Sequence, residues 1–263
     1  MNEDMKKLID NFKTIASKRW IEGVSGGTGS IGLTFEKELG KNVDSVSFPD
    51  YEGIEIKCAG RYSGFPIGLF SVSFDGPSLD ENKRIGETYG YFDNNIPDKK
   101  ILVTSINCKD YTIVNKKYKF RLELDEDEDK LYIAIYDLSN NLIEKETFVT
   151  LNNLKWRLVL KLSKLAFVRA SIKRVNTKTY FRYYKMTLYE LISYQQFLNL
   201  LKEGIISTVI MLRIGKSGIN KGKYKNKSLF FQLRKQDINL LFKEIYIIDY
   251  DEEYNFNPFV KKH

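Results

Sequence analysis

At 263 residues the chain can hold one large domain or two lobes, and 43% hydrophobic with 29% charged residues is globular composition, which sets aside a disordered chain. The 42 Lys and Arg against 34 Asp and Glu leave a net charge of +8, an excess that favours a polyanionic partner. The one histidine is His263 and the cysteines are Cys58 and Cys108, so Ser-His-Asp and Cys-His triads, histidine-based metallohydrolase motifs, four-cysteine zinc sites and disulfide scaffolds are excluded.

The first predicted element is a helix over Met5–Trp20, with Leu8, Ile9, Phe12, Ile15 and Ala16 on one face. Gly23–Ser30 is glycine-rich and reads as a loop, followed by a short helix over Ile31–Gly40 with Ser30 as its N-cap and Gly40 as its stop. A turn over Phe48–Gly53 precedes a strand, Ile54–Cys58. Gly64–Phe74 is β-like, Pro77–Asp98 reads as an inserted loop, and Ile101–Ile106 is a strand. Tyr118–Leu124 and Lys130–Tyr136 form a hairpin across the acidic run Asp125–Asp129, which lacks the glycine and ligand spacing of a calcium loop and reads as a solvated tip. Leu151–Leu162 is expected to be a helix, Leu165–Val175 and Thr179–Met186 strands, and Leu188–Glu203 a helix stopped by Gly204. Strands over Ile205–Ile214 and Ser228–Arg234 flank a basic glycine loop. The aromatic stretch Tyr180–Lys185 is assigned to the core. This mixture points to an α+β fold or mixed sheet. Met1–Ile9 carries acids and lysines instead of an apolar signal core, and Ile205–Leu212 is too short to cross a bilayer, so the expected setting is cytoplasmic.

Pro49-Asp50-Tyr51-Glu52-Gly53-Ile54-Glu55-Ile56-Lys57 carries the most chemistry. Alternation along a strand puts Glu55 and Lys57 on one face and Ile54 and Ile56 on the other, towards a core. A turn can bring the Asp50 carboxylate beside Glu55. Two converging carboxylates form a partial shell for Mg²⁺, which keeps waters for a substrate phosphate, and a lysine beside it can position water or offset phosphate charge. A surface Glu/Lys pair on an amphipathic edge strand accounts for the same triplet. Upstream, Gly27–Gly32 has the form G-x-G-x-x-G, but no apolar strand precedes it and no βαβ alternation surrounds it, which disfavours a dinucleotide site. No Gly-Lys-Ser/Thr follows, so it is no Walker loop either.

Taken together, Gly26-Gly27-Thr28-Gly29-Ser30-Ile31-Gly32-Leu33-Thr34-Phe35-Glu36-Lys37-Glu38-Leu39-Gly40, Pro49-Asp50 and Ile54-Glu55-Ile56-Lys57 resemble the MutH-like nucleases, within them the MvaI/BcnI branch of type II restriction endonucleases, a PD-(D/E)XK group. The resemblance implies a mixed-sheet nuclease core with flanking helices, a catalytic lobe over about residues 1–115 and a DNA-recognition lobe over 116–263, with a cleft between them. It makes Asp50 and Glu55, with the backbone carbonyl of Ile56, the holders of one or two Mg²⁺ ions, Lys57 the catalytic lysine and Glu36 a further active-site acid. Ser25, Thr28 and Ser30 become candidate phosphate contacts, with helix capping as the competing role. The implied activity is Mg²⁺-dependent, sequence-specific hydrolysis of double-stranded DNA by a monomer, at a short C·G-rich pseudopalindrome of the CC-N-GG type. A methyltransferase that protects the host genome is the expected companion. A MutH-like strand nicker of mismatch repair and a catalytically silent DNA-binding protein are the alternatives.

Between Arg213 and Lys235 eight residues are basic and none is acidic. Lys216, Lys221, Lys223 and Lys225 on a glycine loop suit the phosphate backbone, while Arg213 and Arg234, at strand ends, suit bidentate reading of guanine. A solvated basic hairpin would look the same. The Asp-His-Gly of similar enzymes is replaced here by Lys225-Asn226-Lys227-Ser228, so the target word does not carry over.

Overall fold

A computed structural model describes residues 2–25, 29–40, 49–78 and 80–251, the side chains of 226–228 excepted. The chain starts with helix α1 (Glu3–Ser17), strand β1 (Ile21–Glu22), helix α2 (Ser30–Glu38) and strand β2 (Glu55–Gly60). Next come β3 (Ile67–Val72), α3 (Glu81–Tyr89), β4 (Tyr91–Phe92), β5 (Lys100–Ile106), β6 (Thr112–Val114), β7 (Tyr118–Asp125) and β8 (Lys130–Asp137). The short β9 (Leu142–Glu144) and β10 (Phe148–Thr150) lead into α4 (Leu151–Leu162), β11 (Lys164–Val175) and β12 (Lys178–Leu191). The remainder is α5 (Tyr194–Lys202), β13 (Ile206–Ile214), β14 (Tyr224–Leu233), α6 (Ile238–Leu241) and β15 (Phe242–Asp249). Helices and three five-stranded sheets, one mixed and two antiparallel, make this an α+β protein, as the sequence predicts.

The elements divide into two compact units, and neither is continuous. One takes residues 1–64, 160–191 and 242–263; the other takes 65–159 and 192–241. A single boundary near residue 115 is therefore not what the chain adopts. The reason is sheet pairing: β2 runs parallel to β11, from Glu55 opposite Leu165 to Gly60 opposite Ala170, so the first unit needs late segments to complete its sheet.

In the first unit the strand order is β1-β12-β11-β2, with β15 also on β12. Among the described residues β2 pairs with β11 alone and is an edge strand. Asn2 caps α1 by accepting a hydrogen bond from the Met5 N–H, and Glu3 and Asp4 stand at its positive end. Met5, Leu8, Ile9, Phe12 and Ile15 form the buried face of α1. They pack with Ile31 and Phe35 of α2, with Ile54 and Ile56, and with Phe181, Tyr183 and Met186 of β12. Cutting Phe12, which is wholly buried, back to Ala would cost about 3–5 kcal/mol. Tyr184, also buried, lies on the other side of β12 beneath the Arg61 guanidinium, so the aromatic stretch is core on both faces.

In the second unit one sheet has the order β10-β8-β7-β6 with β9 on β8, and the other β3-β14-β13-β5-β4. Along β13, Ile206, Thr208, Ile210, Leu212 and Ile214 are buried while the residues between them are not, and α3 and α5 pack against this strand. A Cβ on Gly86 of α3 would stand 2.2 Å from Leu212 Cδ2, so the glycine lets the helix seat.

Three sequence expectations need correction. Residues 77–98 are not only loop: α3 lies within them, and its buried face includes Glu81 and Asn82 beside Ile85 and Tyr89, a polar face that apolar periodicity does not register. The helix expected over 188–203 is α5 alone. Residues 188–191 continue β12, paired with β11 and β15, and Ser193 caps α5 by accepting from the Gln196 N–H. The strand expected from Ser228 starts at Tyr224, opposite Ile214, and β15 has no counterpart in the prediction.

Candidate active site and basic loop

A tight turn builds the acidic site. The Tyr51 N–H donates to the Ile54 carbonyl at 2.9 Å and the Ile54 N–H to the Tyr51 carbonyl at 2.7 Å. The two residues between them, Glu52 and Gly53, have φ of 42° and 78°, the positive values that a two-residue hairpin turn demands. With Tyr51 opposite Ile54, the next pair outward is Asp50 and Glu55. Asp50 Oδ2 accepts a hydrogen bond from the Ile56 N–H at 3.0 Å, on the open edge of β2. In an extended strand one residue's N–H and C=O point to the same side, so the Ile56 carbonyl faces that edge as well.

Glu55 is 1% exposed. Its Oε1 receives Lys57 Nζ at 2.5 Å and Lys161 Nζ, from the last turn of α4, at 3.5 Å. Its Oε2 is buried and has no hydrogen-bond partner among the described residues. Burial pushes the Glu55 carboxyl above its ordinary value; Lys57 pulls it down, the negative charge of Asp50 raises it further, and Lys161 opposes. The Cys58 thiol is raised by burial first and then by Glu36 and Asp50, with Lys57 opposing. Glu36, Asp50 and Lys57 therefore all lie within electrostatic reach of Cys58 on β2.

The structure thus brings Asp50, Glu55, Ile56 and Lys57 together, with Glu36 of α2 within electrostatic reach of Cys58 on the same strand. Among the described residues no group of three acids, cysteines or histidines is close enough to hold one ion. A resident metal would rest on two carboxylates, a carbonyl, and water or phosphate. The donors fit a hard divalent cation: all are oxygen, and the orphaned Glu55 Oε2 is a buried acceptor lacking a donor. Sequence reasoning missed Lys161. No motif marks it, because only the packing of α4 carries it to Glu55.

Ser30 begins α2 instead of capping it; Gly29 is the N-cap. The Ser30 hydroxyl is buried and accepts from the Ser25 N–H at 3.2 Å, while Thr34 Oγ1 accepts from the Val24 N–H at 3.1 Å. These bonds tie Val24 and Ser25 to the start of α2, and Ser25 is exposed. Thr28 lies outside the described residues.

In the second unit β13 and β14 form an antiparallel ribbon with Arg213 opposite Lys225 and Ile206 opposite Leu233. Residues 215–223 close one end. The Gly215 N–H donates to the Lys223 carbonyl and the Gly222 N–H to the Gly215 carbonyl, both at 2.9 Å. A Cβ on Gly215 would stand 2.0 Å from the Asn220 carbonyl oxygen, so this loop is built on a close approach only glycine allows. Lys99 Nζ donates to the Gly222 carbonyl at 2.6 Å and lies over the Tyr224 ring. Arg213, Lys216, Lys221, Lys223 and Lys225 are all exposed here. Arg234 is at the far end of the ribbon, paired with Asp237 at 2.6 Å. The acidic hairpin tip is likewise engaged, Glu126 with Lys202 and Glu128 with Lys130.

No curated protein matches the chain. Among solved structures, the restriction endonuclease MvaI–cognate DNA substrate complex matches with a TM-score of 0.86 at 24% identity, over 93% of this chain and 98% of that one. MvaI in the absence of DNA matches with a TM-score of 0.60, also at 24% identity, over 94% and 98%. That likeness shows the fold. The sequence profile of the MvaI/BcnI restriction endonuclease family matches residues 9–242, nearly the whole chain, and so the chain belongs to that family of DNA-cleaving enzymes, as the motifs around Asp50 and Glu55 led us to expect.

Proposed function

We propose that the chain is a type II restriction enzyme that hydrolyses phosphodiester bonds of double-stranded DNA with Mg²⁺, leaving 5′-phosphate and 3′-hydroxyl ends. The observation that carries this reading is the Asp50–Glu55–Lys57 arrangement at the open edge of β2, with a buried carboxylate oxygen lacking a donor. Asp50, Glu55 Oε2 and the Ile56 carbonyl would hold the ion. Bound there, Mg²⁺ would polarise the scissile phosphate and lower the pKa of a coordinated water. Lys57, two residues along the strand from Glu55, orients the attacking water and offsets charge growing on the phosphate oxygens. Glu36 adds negative potential along the same strand.

The first unit is then the catalytic lobe and the second the recognition lobe. Lys216, Lys221, Lys223 and Lys225 track phosphates, and Arg213 is the best-placed candidate to read a base. Ser25 presents the rim of the glycine loop to DNA, with Ser30 supporting it from inside. The target belongs to the C·G-rich pseudopalindromes of the CC-N-GG type, cut by a monomer one strand after the other, and a methyltransferase protects the same word in the host.

Digestion of a phage genome with Mg²⁺, followed by sequencing of the ends, tests activity, target and stagger at once. Discrete fragments with uniform ends are expected, and linear plasmid should accumulate beyond the open-circle form. Asp50→Asn and Lys57→Ala should each lower cleavage by about a thousandfold or more while duplex binding persists. Undigested DNA, or full cutting by both variants, would remove the assignment.

A further inference from the structure

Among the described residues one oxygen of Glu55 serves two ammonium groups while the other serves none. Lys57 stands 2.5 Å and Lys161 3.5 Å from Oε1, and each lysine side chain is 26% exposed. Lys57 comes from β2 itself; Lys161 comes from α4, in the last turn before β11. Asp50 and Glu55 balance the two lysines in formal charge. In the resting protein Lys57 hydrogen-bonds Oε1 closely, while Lys161 stands in ion-pair contact with the same oxygen, whose second lone pair it could fill.

The second lysine matters once Lys57 turns towards DNA. In the nuclease reading Lys57 serves water and the scissile phosphate, so its ammonium must leave or share the short bond to Glu55. A buried carboxylate oxygen stripped of its only close donor is costly, and that cost would hold Lys57 back. Lys161 removes the obstacle. A shift of about 0.7 Å would bring its Nζ to the usual distance of a charge-assisted bond.

We propose that Lys161 is a positioning residue, which rests on the nuclease reading above: it keeps Glu55 Oε1 occupied, frees Lys57 for the substrate and leaves Oε2 for the divalent cation. It touches neither DNA nor the reacting atoms. Its action passes entirely through Glu55 and Lys57.

Lys161→Met retains the aliphatic stem and its packing but loses the charge, whereas Lys161→Arg retains a cation. Three measurements follow on a duplex carrying a site mapped from the digestion ends. Single-turnover cleavage should fall about a hundredfold in Lys161→Met and recover to within about tenfold of the parent in Lys161→Arg. Binding of the same duplex without divalent ions should match the parent in both. In the metal-free protein, the change in Tm caused by Lys161→Met should vanish when Glu55 is already Gln, because the lysine acts through that carboxylate. Parental cleavage by Lys161→Met, failure of Lys161→Arg to restore any rate, or an undiminished Tm change in the Glu55→Gln background would each overturn the proposal. A parent that does not cut sinks the nuclease reading along with it; a parent that cuts as well as Lys161→Met does sinks only the role of Lys161.

Discussion

Arg213 and Arg234 stand at opposite ends of the same two-stranded ribbon: Arg213 lies opposite Lys225 beside the glycine loop, and Arg234 follows the Ile206–Leu233 pair. From Lys225 to Arg234 the strand advances about 30 Å, nearly a full turn of a DNA duplex. Two arginines so placed do not read one base step together. Arg234 is also engaged by Asp237, whereas Arg213 shares its end with the exposed lysines.

The two should therefore respond differently to truncation. Arg213→Ala is expected to weaken duplex binding by about 1–3 kcal/mol, the range of a lost bidentate base contact. Arg234→Ala should leave binding nearly unchanged. Fluorescence anisotropy at one fixed salt concentration decides it. Equal losses would mean that both ends of the ribbon lie on DNA and that the loop is not the privileged contact.

A second prediction concerns stability. Arg84 of α3 bonds both Glu81, at 2.7 Å, and Glu144, and the Tyr89 hydroxyl donates to Glu144 at 2.6 Å. Thr147 and Ser78 donate to Glu81 at 2.6 Å, and Glu81 is wholly buried. Burial pushes both carboxyls up, yet hydrogen bonds led by those from Arg84 outweigh it, and both end below their ordinary value of 4.5. A folded value below the unfolded one means stability that is fully present above pH 4.5 and lost as pH falls through the depressed value. Thermal unfolding of the parent should therefore drop steeply in that acid window. Glu144→Gln should flatten the drop and cost about 1–3 kcal/mol at neutral pH, the lower part being favoured because Arg84 is 36% exposed. A variant that keeps the parental slope would show that the network carries no acid sensitivity.

The contrast between these two regions shows what was legible in the sequence. The hairpin of β7 and β8, α4 and the apolar face of α1 follow from periodicity, because there the buried side is the hydrophobic side. The pairing of Asp50 with Glu55 followed from Gly53, since a positive φ between two short extended segments closes a turn. Helix α3 was hidden because its buried face carries a carboxylate whose partners, Arg84 aside, sit in loops and other elements. Lys161 was hidden for the same reason: its value depends on a packing contact that spacing does not encode. The division into units was unreadable from composition, because β2 finds its partner strand more than a hundred positions later, at Leu165.

The last prediction isolates the electrostatic part of DNA binding. Lys216, Lys221 and Lys223 are exposed on a loop held in shape by its own backbone bonds and Lys225 is exposed beside it on β14, so exchanging lysine for glutamine removes charge without removing structure. Each lysine that touches phosphate releases counterions on binding, and a plot of log affinity against log salt should flatten by about 0.9 for each one lost. The four should not be equal. Lys216 lies within the field of Asp93, whose carboxyl is held below its ordinary value first by the Asn95 N–H and, against burial, by Lys216 as well, so part of the lysine's charge is already answered within the protein. Lys216→Gln should therefore change the slope least, and Lys221→Gln and Lys223→Gln most. Titrations at four or five salt concentrations, on a duplex with no target site and no divalent ion, separate this from base reading and from catalysis. An unchanged slope in the quadruple variant would place the phosphate contacts elsewhere on the protein.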